Sequence, residues 1–284
     1  MIYAISGNVV SEAYNLNAEA LETAYDIAGN IVFQASDPYI EGRTLVFEDN
    51  FEGSTLNSNN WGYELGDVRN NELQTYRAEN NVSVEDGCLV ITAKKEDFGT
   101  KHWTSGSITG QHKFEQTYGR WEAKVKFPNI IGAFGAFWLL GANMENVYHE
   151  TGDNDVSGEI WPKCGEIDIN ETIPGNATTA QANLWTYTGS SMGTGRSANM
   201  VSSEWHIYAM EWTSEYIAIF LDGVEFKRWT FSDYSSSEVQ AYHLPFYMIL
   251  NLAVGASGGT PASSTSEMKM YVDWVRVYAP LESA

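Results

Sequence analysis

Read for the spacing of its apolar and polar positions, the chain is a succession of short extended runs. Gly119-Arg120-Trp121-Glu122-Ala123-Lys124-Val125-Lys126 alternates residue by residue, the period of a strand with one face buried. Cys88-Leu89-Val90-Ile91-Thr92-Ala93 and Tyr216-Ile217-Ala218-Ile219-Phe220-Leu221 are apolar runs of strand length. Asp222-Gly223 follows the second, and a two-residue type I′ turn there would return the chain as Val224-Glu225-Phe226. Gly, Asn and Asp turns recur at short intervals from Leu45 to Tyr278, and no helix of length is evident. Strands this numerous, joined by antiparallel hairpins, predict an all-β sandwich of two stacked sheets.

Residues 1–41 stand outside that pattern. They hold Ser6-Gly7-Asn8-Val9-Val10 and, 22 residues later, Ala28-Gly29-Asn30-Ile31-Val32. Gly-Asn between alternating apolar runs is a hairpin signal. The second copy is the clearer, with Tyr25 and Ile27 before the turn and Ile31 and Phe33 after it. A short helix from Ala18 to Tyr25, with Leu21 and Tyr25 on one face, is the alternative. The expected division is a small N-terminal extension or hairpin module over 1–41 and one domain over 42–284.

One stretch carries more than packing information. In Trp161-Pro162-Lys163-Cys164-Gly165-Glu166-Ile167-Asp168-Ile169-Asn170-Glu171, three carboxylates fall within six residues. On a strand Glu166 and Asp168 share one face, and Ile167 and Ile169 anchor the other. Glu171 should point to the wrong face unless a β-bulge between Asp168 and Glu171 swings it back. Paired carboxyls on one face are what retaining glycoside hydrolysis uses, one as nucleophile and one as proton donor. Crowding like charges pushes at least one proton affinity up, which suits a general acid at neutral pH. A calcium site or a solvated acidic edge strand would use the same residue types.

Composition narrows the partners. The 284 residues are 43% hydrophobic and 13% aromatic, enough for a sizeable core and rich in the rings on which sugars stack. The 16 basic and 37 acidic residues leave a net charge of −21, which argues against nucleic acid or anionic membrane as a partner, and more weakly against sulfated polysaccharide. Cys88 and Cys164 are the two cysteines; free buried thiols are the default reading, with a disulfide as the alternative. No apolar run approaches the ~18 residues of a membrane span, and no secretory leader is visible at the N-terminus.

Glu166-Ile167-Asp168-Ile169-Asn170-Glu171 resembles the E-x-D-x-x-E signature of glycoside hydrolase family 16, in the bulged form of laminarinases (endo-β-1,3-glucanases), and Trp161-Pro162-x-Cys164-Gly165 is similar to the usual lead-in. Collinear landmarks follow the same family order: Asn70-Asn71-Glu72-Leu73-Gln74, Thr104-Ser105-Gly106-Ser107-Ile108, Ala136-Phe137-Trp138-Leu139-Leu140-Gly141, Ile249-Leu250-Asn251-Leu252 and Val272-Asp273-Trp274-Val275-Arg276-Val277-Tyr278. The resemblance implies a β-jelly roll of two antiparallel sheets with a catalytic cleft on its concave face. It implies a retaining endo-glycosidase cutting β-1,3 or mixed β-1,3/1,4 glucan with no catalytic cofactor. Glu166 would be the nucleophile, Glu171 the acid/base, and Asp168 the carboxyl between them. Asn71, Arg120, Trp138, Trp161, Trp185 and Asn251 would meet substrate.

Gly87 and Asp273 match ligands of a structural calcium, although Asn50 stands where the family's usual Glu would be. Two further departures bear on the sugar. Ala182-Asn183-Leu184-Trp185 replaces the usual Gly-Thr-x-His, and Ala256-Ser257-Gly258-Gly259-Thr260-Pro261 replaces an aromatic turn that walls the cleft. The insert from Glu145 to Glu159, with His149, Asp153 and Asp155, reads as a flexible acidic lid, a metal site being the alternative. A family member acting on a galactan such as agar or porphyran, and a glycan-binding jelly roll without catalysis, are the rival functions. The substrate class implies an extracellular setting, and the N-terminal segment is expected to attach to another domain or chain.

Overall fold

A computed structural model describes residues 23–25, 31–34, 40–148, 154–158, 161–172, 178–197 and 200–281. The chain divides into two compact units, Met1–Gly42 and Arg43–Ala284. In the first, Thr23–Tyr25 pairs antiparallel with Ile31–Gln34, Tyr25 opposite Ile31. The flanks of the second Gly-Asn pair are thus paired strands. The first Gly-Asn pair, and all but the last three residues of the alternative helix, lie outside the described residues.

The second unit is built from two large sheets. The ten-stranded sheet runs, neighbour to neighbour, through Val224–Thr230, Tyr216–Leu221, His206–Trp212, Gly119–Lys126, Glu267–Tyr278, Cys88–Lys94, Trp103–Ser105 and Gln74–Tyr76. Leu45–Asp49 also pairs with Glu267–Tyr278, and Val82–Glu85 with Cys88–Lys94. The seven-stranded sheet runs through Gly195–Arg196, Gln181–Trp185, Glu166–Glu171, Ala133–Gly141, Phe246–Val254, Ser107–Thr109 and Gly62–Tyr63. All the pairings are antiparallel except Gln74–Tyr76 beside Trp103–Ser105. The expected hairpin is present: Leu221 pairs with Val224 across Asp222 (φ 50°) and Gly223 (φ 79°), the double positive φ of a type I′ turn. The longest α-helix among the described residues is Ser236–Val239, and no helix there is long and apolar enough to cross a membrane.

Alternation decides which side chains meet between the sheets. Trp121, Ala123 and Val125 of one sheet share a core with Phe137, Leu139, Ile167, Ile169, Met248 and Leu250 of the other. Several are fully enclosed, and burying a side chain of that size contributes about 1.5–3 kcal/mol. Phe137→Ala would cost about 3–5 kcal/mol. The opposite face of the seven-stranded sheet carries a second apolar cluster of Ala136, Trp138, Leu140, Tyr247 and Ile249, joined by Met144 and Cys164. Chemistry is placed on this second face.

The 145–159 insert is not a loop throughout. Met144–Tyr148 and Asn154–Gly158 pair as a two-stranded hairpin, Met144 opposite Gly158. Its base is tied down by Gln111, whose Nε2 donates to the Met144 carbonyl at 2.8 Å. His149 and Asp153 lie outside the described residues. Cys88 and Cys164 are not joined in a disulfide.

Candidate active site

The acid-bearing strand is entered through Gly165, at φ 81°, where a Cβ would lie 2.7 Å from Ala241 Cβ and 2.9 Å from the Phe246 ring. Only glycine fits that close approach in that conformation. Beyond it Leu140 pairs with Glu166, Leu139 with Ile167 and Trp138 with Asp168; the next pair is Phe137 with Asn170, and then Ala136 with Glu171. Ile169 is the extra residue. This is the expected bulge, and it keeps Ile167 and Ile169 in the core while Glu166, Asp168 and Glu171 oppose Leu140, Trp138 and Ala136 on the other face.

That face floors a cleft of about 760 Å³, with Glu166 and Glu171 on its lining and Trp138, Trp161 and Trp185 among its aromatic walls. Asp168 lies beneath, 2% exposed, and its Oδ2 has no hydrogen-bond partner. Trp161 and Trp185 meet edge to face with centroids 5.7 Å apart. Each lowers the proton affinity of an acid, Trp161 that of Glu166 and Trp185 that of Asp168. Trp185, at the position aligned with the family's usual histidine, is therefore a non-titrating neighbour that favours charge on the central carboxyl, as well as a wall.

Burial pushes all three carboxyls above their usual range, and the neighbouring Glu171 charge adds to the rise at Glu166 and Asp168. Three such groups cannot all ionise at neutral pH, so they hold protons as a unit. Hydrogen bonds from Trp161 and Asp168 favour charge on Glu166, and Gln181 bonds Glu171. One carboxylate beside a retained proton is what a nucleophile and a general acid require.

Trp138 is set from behind. Its Nε1 donates to Asn251 Oδ1 at 2.8 Å, Asn251 Nδ2 donates to the Tyr76 hydroxyl at 2.8 Å, and that hydroxyl donates to Glu72 Oε2 at 3.2 Å. Gln74 also donates to Glu72 Oε2, at 2.6 Å. Asn251 was expected to meet substrate. It is instead buried as the link that satisfies the indole, the partner a buried amide needs.

Other expectations change as well. Asn71 is exposed and does not line the cleft; its neighbour Asn70 does. Arg120 does not line the cleft. It is fully buried on the ten-stranded sheet, on the face turned from the core, where Nε donates to Glu122 Oε1 at 2.7 Å and the guanidinium lies 4.6 Å over Phe220. At the positions matched to a structural calcium, Asp273 and Asn50 have other partners. The Asp273 carboxylate faces the Lys124 ammonium at 2.7 Å, Asn50 Oδ1 accepts from Arg276 at 3.4 Å, and no group of three or more His, Cys, Asp or Glu suited to a metal occurs among the described residues. An ammonium standing against the principal anionic oxygen opposes a second cation there.

Sequence reasoning missed Arg69. It lies in the cleft lining, forms an ion pair with Glu64, and places its guanidinium 4.9 Å over the Trp138 ring. The available signal was an arginine set directly against the Asn70-Asn71-Glu72 landmark. Ala256 and Ser257 also line the cleft, so the turn that departs from the family pattern does form a small wall.

A family model for Glycosyl hydrolases family 16 matches residues 69–276. The alpha subunit of clotting factor G from Tachypleus tridentatus is 33% identical over 249 residues, covering 82% of this chain and 34% of that protein. Glucan endo-1,3-beta-glucosidase A1 from Niallia circulans is 31% identical, covering 86% and 39%. The chain thus spans little more than a third of the length of these two relatives. Among solved structures, laminarinase from Flavobacterium sp. UMI-01 superimposes with a TM-score of 0.72 at 34% identity, covering 83% of this chain and 100% of that one. With the family model matched across the acid-bearing strand and the sandwich around it, the chain belongs to glycosyl hydrolases family 16.

Proposed function

We propose that this protein is a retaining endo-glycosidase that hydrolyses β-1,3 or mixed β-1,3/1,4 glucan. The observation that carries the reading is the bulged strand, which brings Glu166, Asp168 and Glu171 to one face under an aromatic-walled cleft. Glu166 attacks the anomeric carbon as Glu171 gives its proton to the departing glycosidic oxygen. Glu171 then takes a proton from water, which cleaves the glycosyl-enzyme ester and restores Glu166. Asp168, hydrogen-bonded to Glu166, holds the nucleophile's free oxygen in place. Trp161 and Trp185 wall the sugar. This chemistry needs no metal or cofactor.

The glucan preference is supported by the relatives named for laminarin and glucan hydrolysis. A glucan polymer is too large to diffuse across a membrane, so we place the enzyme outside the cell, and we assign residues 1–41 a role in attachment to another domain or chain. The test is product analysis on laminarin and barley β-glucan beside agarose and porphyran, with proton NMR of the earliest hydrolysate. Oligosaccharides released from the glucans as the β anomer are expected. First appearance of the α anomer would mean inversion and a wrong reading of the acids, and cleavage of the galactans alone would transfer the substrate to that class. Glu166→Gln should abolish turnover with the fold intact; wild-type activity in that variant would sink the assignment.

A further inference from the structure

The cleft contains a cation for which the double-displacement scheme has no role. Arg69 is mostly buried, with 17% of its side chain exposed, and is paired with Glu64, itself nearly enclosed at 4%. Glu64 is fixed in turn by Ser107, whose hydroxyl donates to Oε2 at 2.6 Å. The guanidinium lies over Trp138, the ring whose N–H is fixed by Asn251. Trp138 is therefore held at two places, by hydrogen bonding at its edge and by a charged plane on its face. Because that ring is only 7% exposed, part of the surface it offers to a sugar is covered by the guanidinium itself.

Resting on the glycosidase reading above, we propose that Arg69 is a positioning residue of this cleft, a fixed cation that Glu64 and Trp138 hold in the lining it shares with the nucleophile Glu166. A cation in a largely buried, acidic site favours charge on nearby carboxylates without titrating itself. Its field does lower the proton affinity of Glu166, and that of Glu72. The groups facing Glu166 are otherwise acidic or neutral: Glu171 and Asp168 on its own strand, Trp161 ahead of it, and the Tyr242 hydroxyl, which donates to the Glu166 carbonyl at 3.3 Å. Facing Arg69 are Glu64 and Glu72 from the loop and strand that carry it, and Tyr76. The planar guanidinium also suits stacking on an indole in a way that an ammonium does not. Charge and shape therefore have separable consequences.

The experiment uses the full chain and a soluble β-glucan, with kcat and KM measured from pH 5 to 9. Arg69→Met combined with Glu64→Gln removes both charges of the pair, and it is compared with Glu64→Gln alone so that the arginine is the only difference. Loss of the cation should move the acidic limb of kcat/KM to higher pH, with a loss of about tenfold on that limb and much less on the alkaline side. Arg69→Lys should restore the limb while KM stays raised several-fold, because the charge returns without the flat stack. An unmoved limb in the double variant, or the same displaced limb in Arg69→Lys, overturns the proposal. Should the double variant fail to fold by circular dichroism, Arg69→Lys still decides: wild-type KM there overturns the stacking role and a shifted limb overturns the charge role. Absence of turnover in the wild-type chain on every polysaccharide would instead refute the glycosidase reading, so the two failures are distinguishable.

Discussion

Glu171→Gln should inactivate the enzyme and stabilise it, increasingly so as pH rises. Burial lifts the Glu171 carboxyl from 4.5 to about 7. A carboxyl with a folded value above its unfolded one favours folding only while protonated. That contribution is fully present below about 4.5 and is lost as pH rises through about 7, because the unfolded chain ionises freely while the buried group resists. At about 1.4 kcal/mol per unit, wild type falls behind the glutamine variant by about 1 kcal/mol at pH 5 and about 3 kcal/mol at pH 8. Removing the Glu171 charge also relieves Glu166 and Asp168, both raised by it, so the added effect has the same sign. For a unit of this size the gap in Tm should widen by roughly 5–10 °C between pH 5 and pH 8. Differential scanning calorimetry of both proteins across that range is the assay. A gap that stays constant with pH, or a variant less stable than wild type at pH 8, would show that Glu171 is solvated enough to ionise at little cost, and the account of how it keeps a proton would fall with it.

Three further outcomes follow from the geometry. Asn251→Leu leaves the Trp138 N–H without its acceptor, while the Tyr76 hydroxyl keeps only its bond to Glu72, and urea denaturation should show a loss of about 1–3 kcal/mol together with a raised KM; an unchanged midpoint would mean that water replaces the amide. Calcium and chelator should leave Tm unmoved, since Lys124 faces the Asp273 carboxylate, and a rise of several degrees with millimolar calcium would refute that. Removal of residues 1–40 should spare kcat on soluble glucan, because the site residues all belong to Arg43–Ala284; a loss of about a hundredfold in a truncated protein that still folds would show that the segment shapes the cleft.

The fold was legible wherever period two is strict. Gly119–Lys126 alternates, and its apolar members enter the core while Arg120 and Glu122 face away. Asp222-Gly223 forms the turn its composition demands. The bulge was legible too, because three acids on one face require an extra residue, and Ile169 supplies it. Side chains whose roles depend on distant partners were not legible. An amide in an apolar strand announces that Asn251 has a partner, but only the pairing of Ala136 with Asn251 brings the strand of Trp138 against it and makes the partner an indole. Arg120 sits in the same alternating strand as residues of the core, and sequence does not say which sheet that strand joins. The hairpin at 144–158 escaped because its polar residues lack the apolar alternation from which a strand is read.

The arrangement concentrates its polar cost on one face of one sheet. Glu166, Asp168, Glu171, Glu72 and Glu64 are largely or wholly withdrawn from water, and each such carboxyl needs hydrogen bonds, a counter-charge or a retained proton. Glu64 has Arg69 and Ser107, and Glu72 has Gln74 and Tyr76. The three acids of the bulged strand have indole and amide donors but no directly paired cation, so retained protons make up the difference. This separation is useful for catalysis. Were Arg69 paired directly to Glu171, the carboxyl would ionise and the leaving oxygen would lack its acid; held by Glu64 against Trp138, the cation acts on Glu166 through its field alone. Ion pairing behind the cleft and proton retention within it are therefore two parts of one solution, and the pH dependence of stability in Glu171→Gln and that of turnover in the Arg69 variants report on them separately.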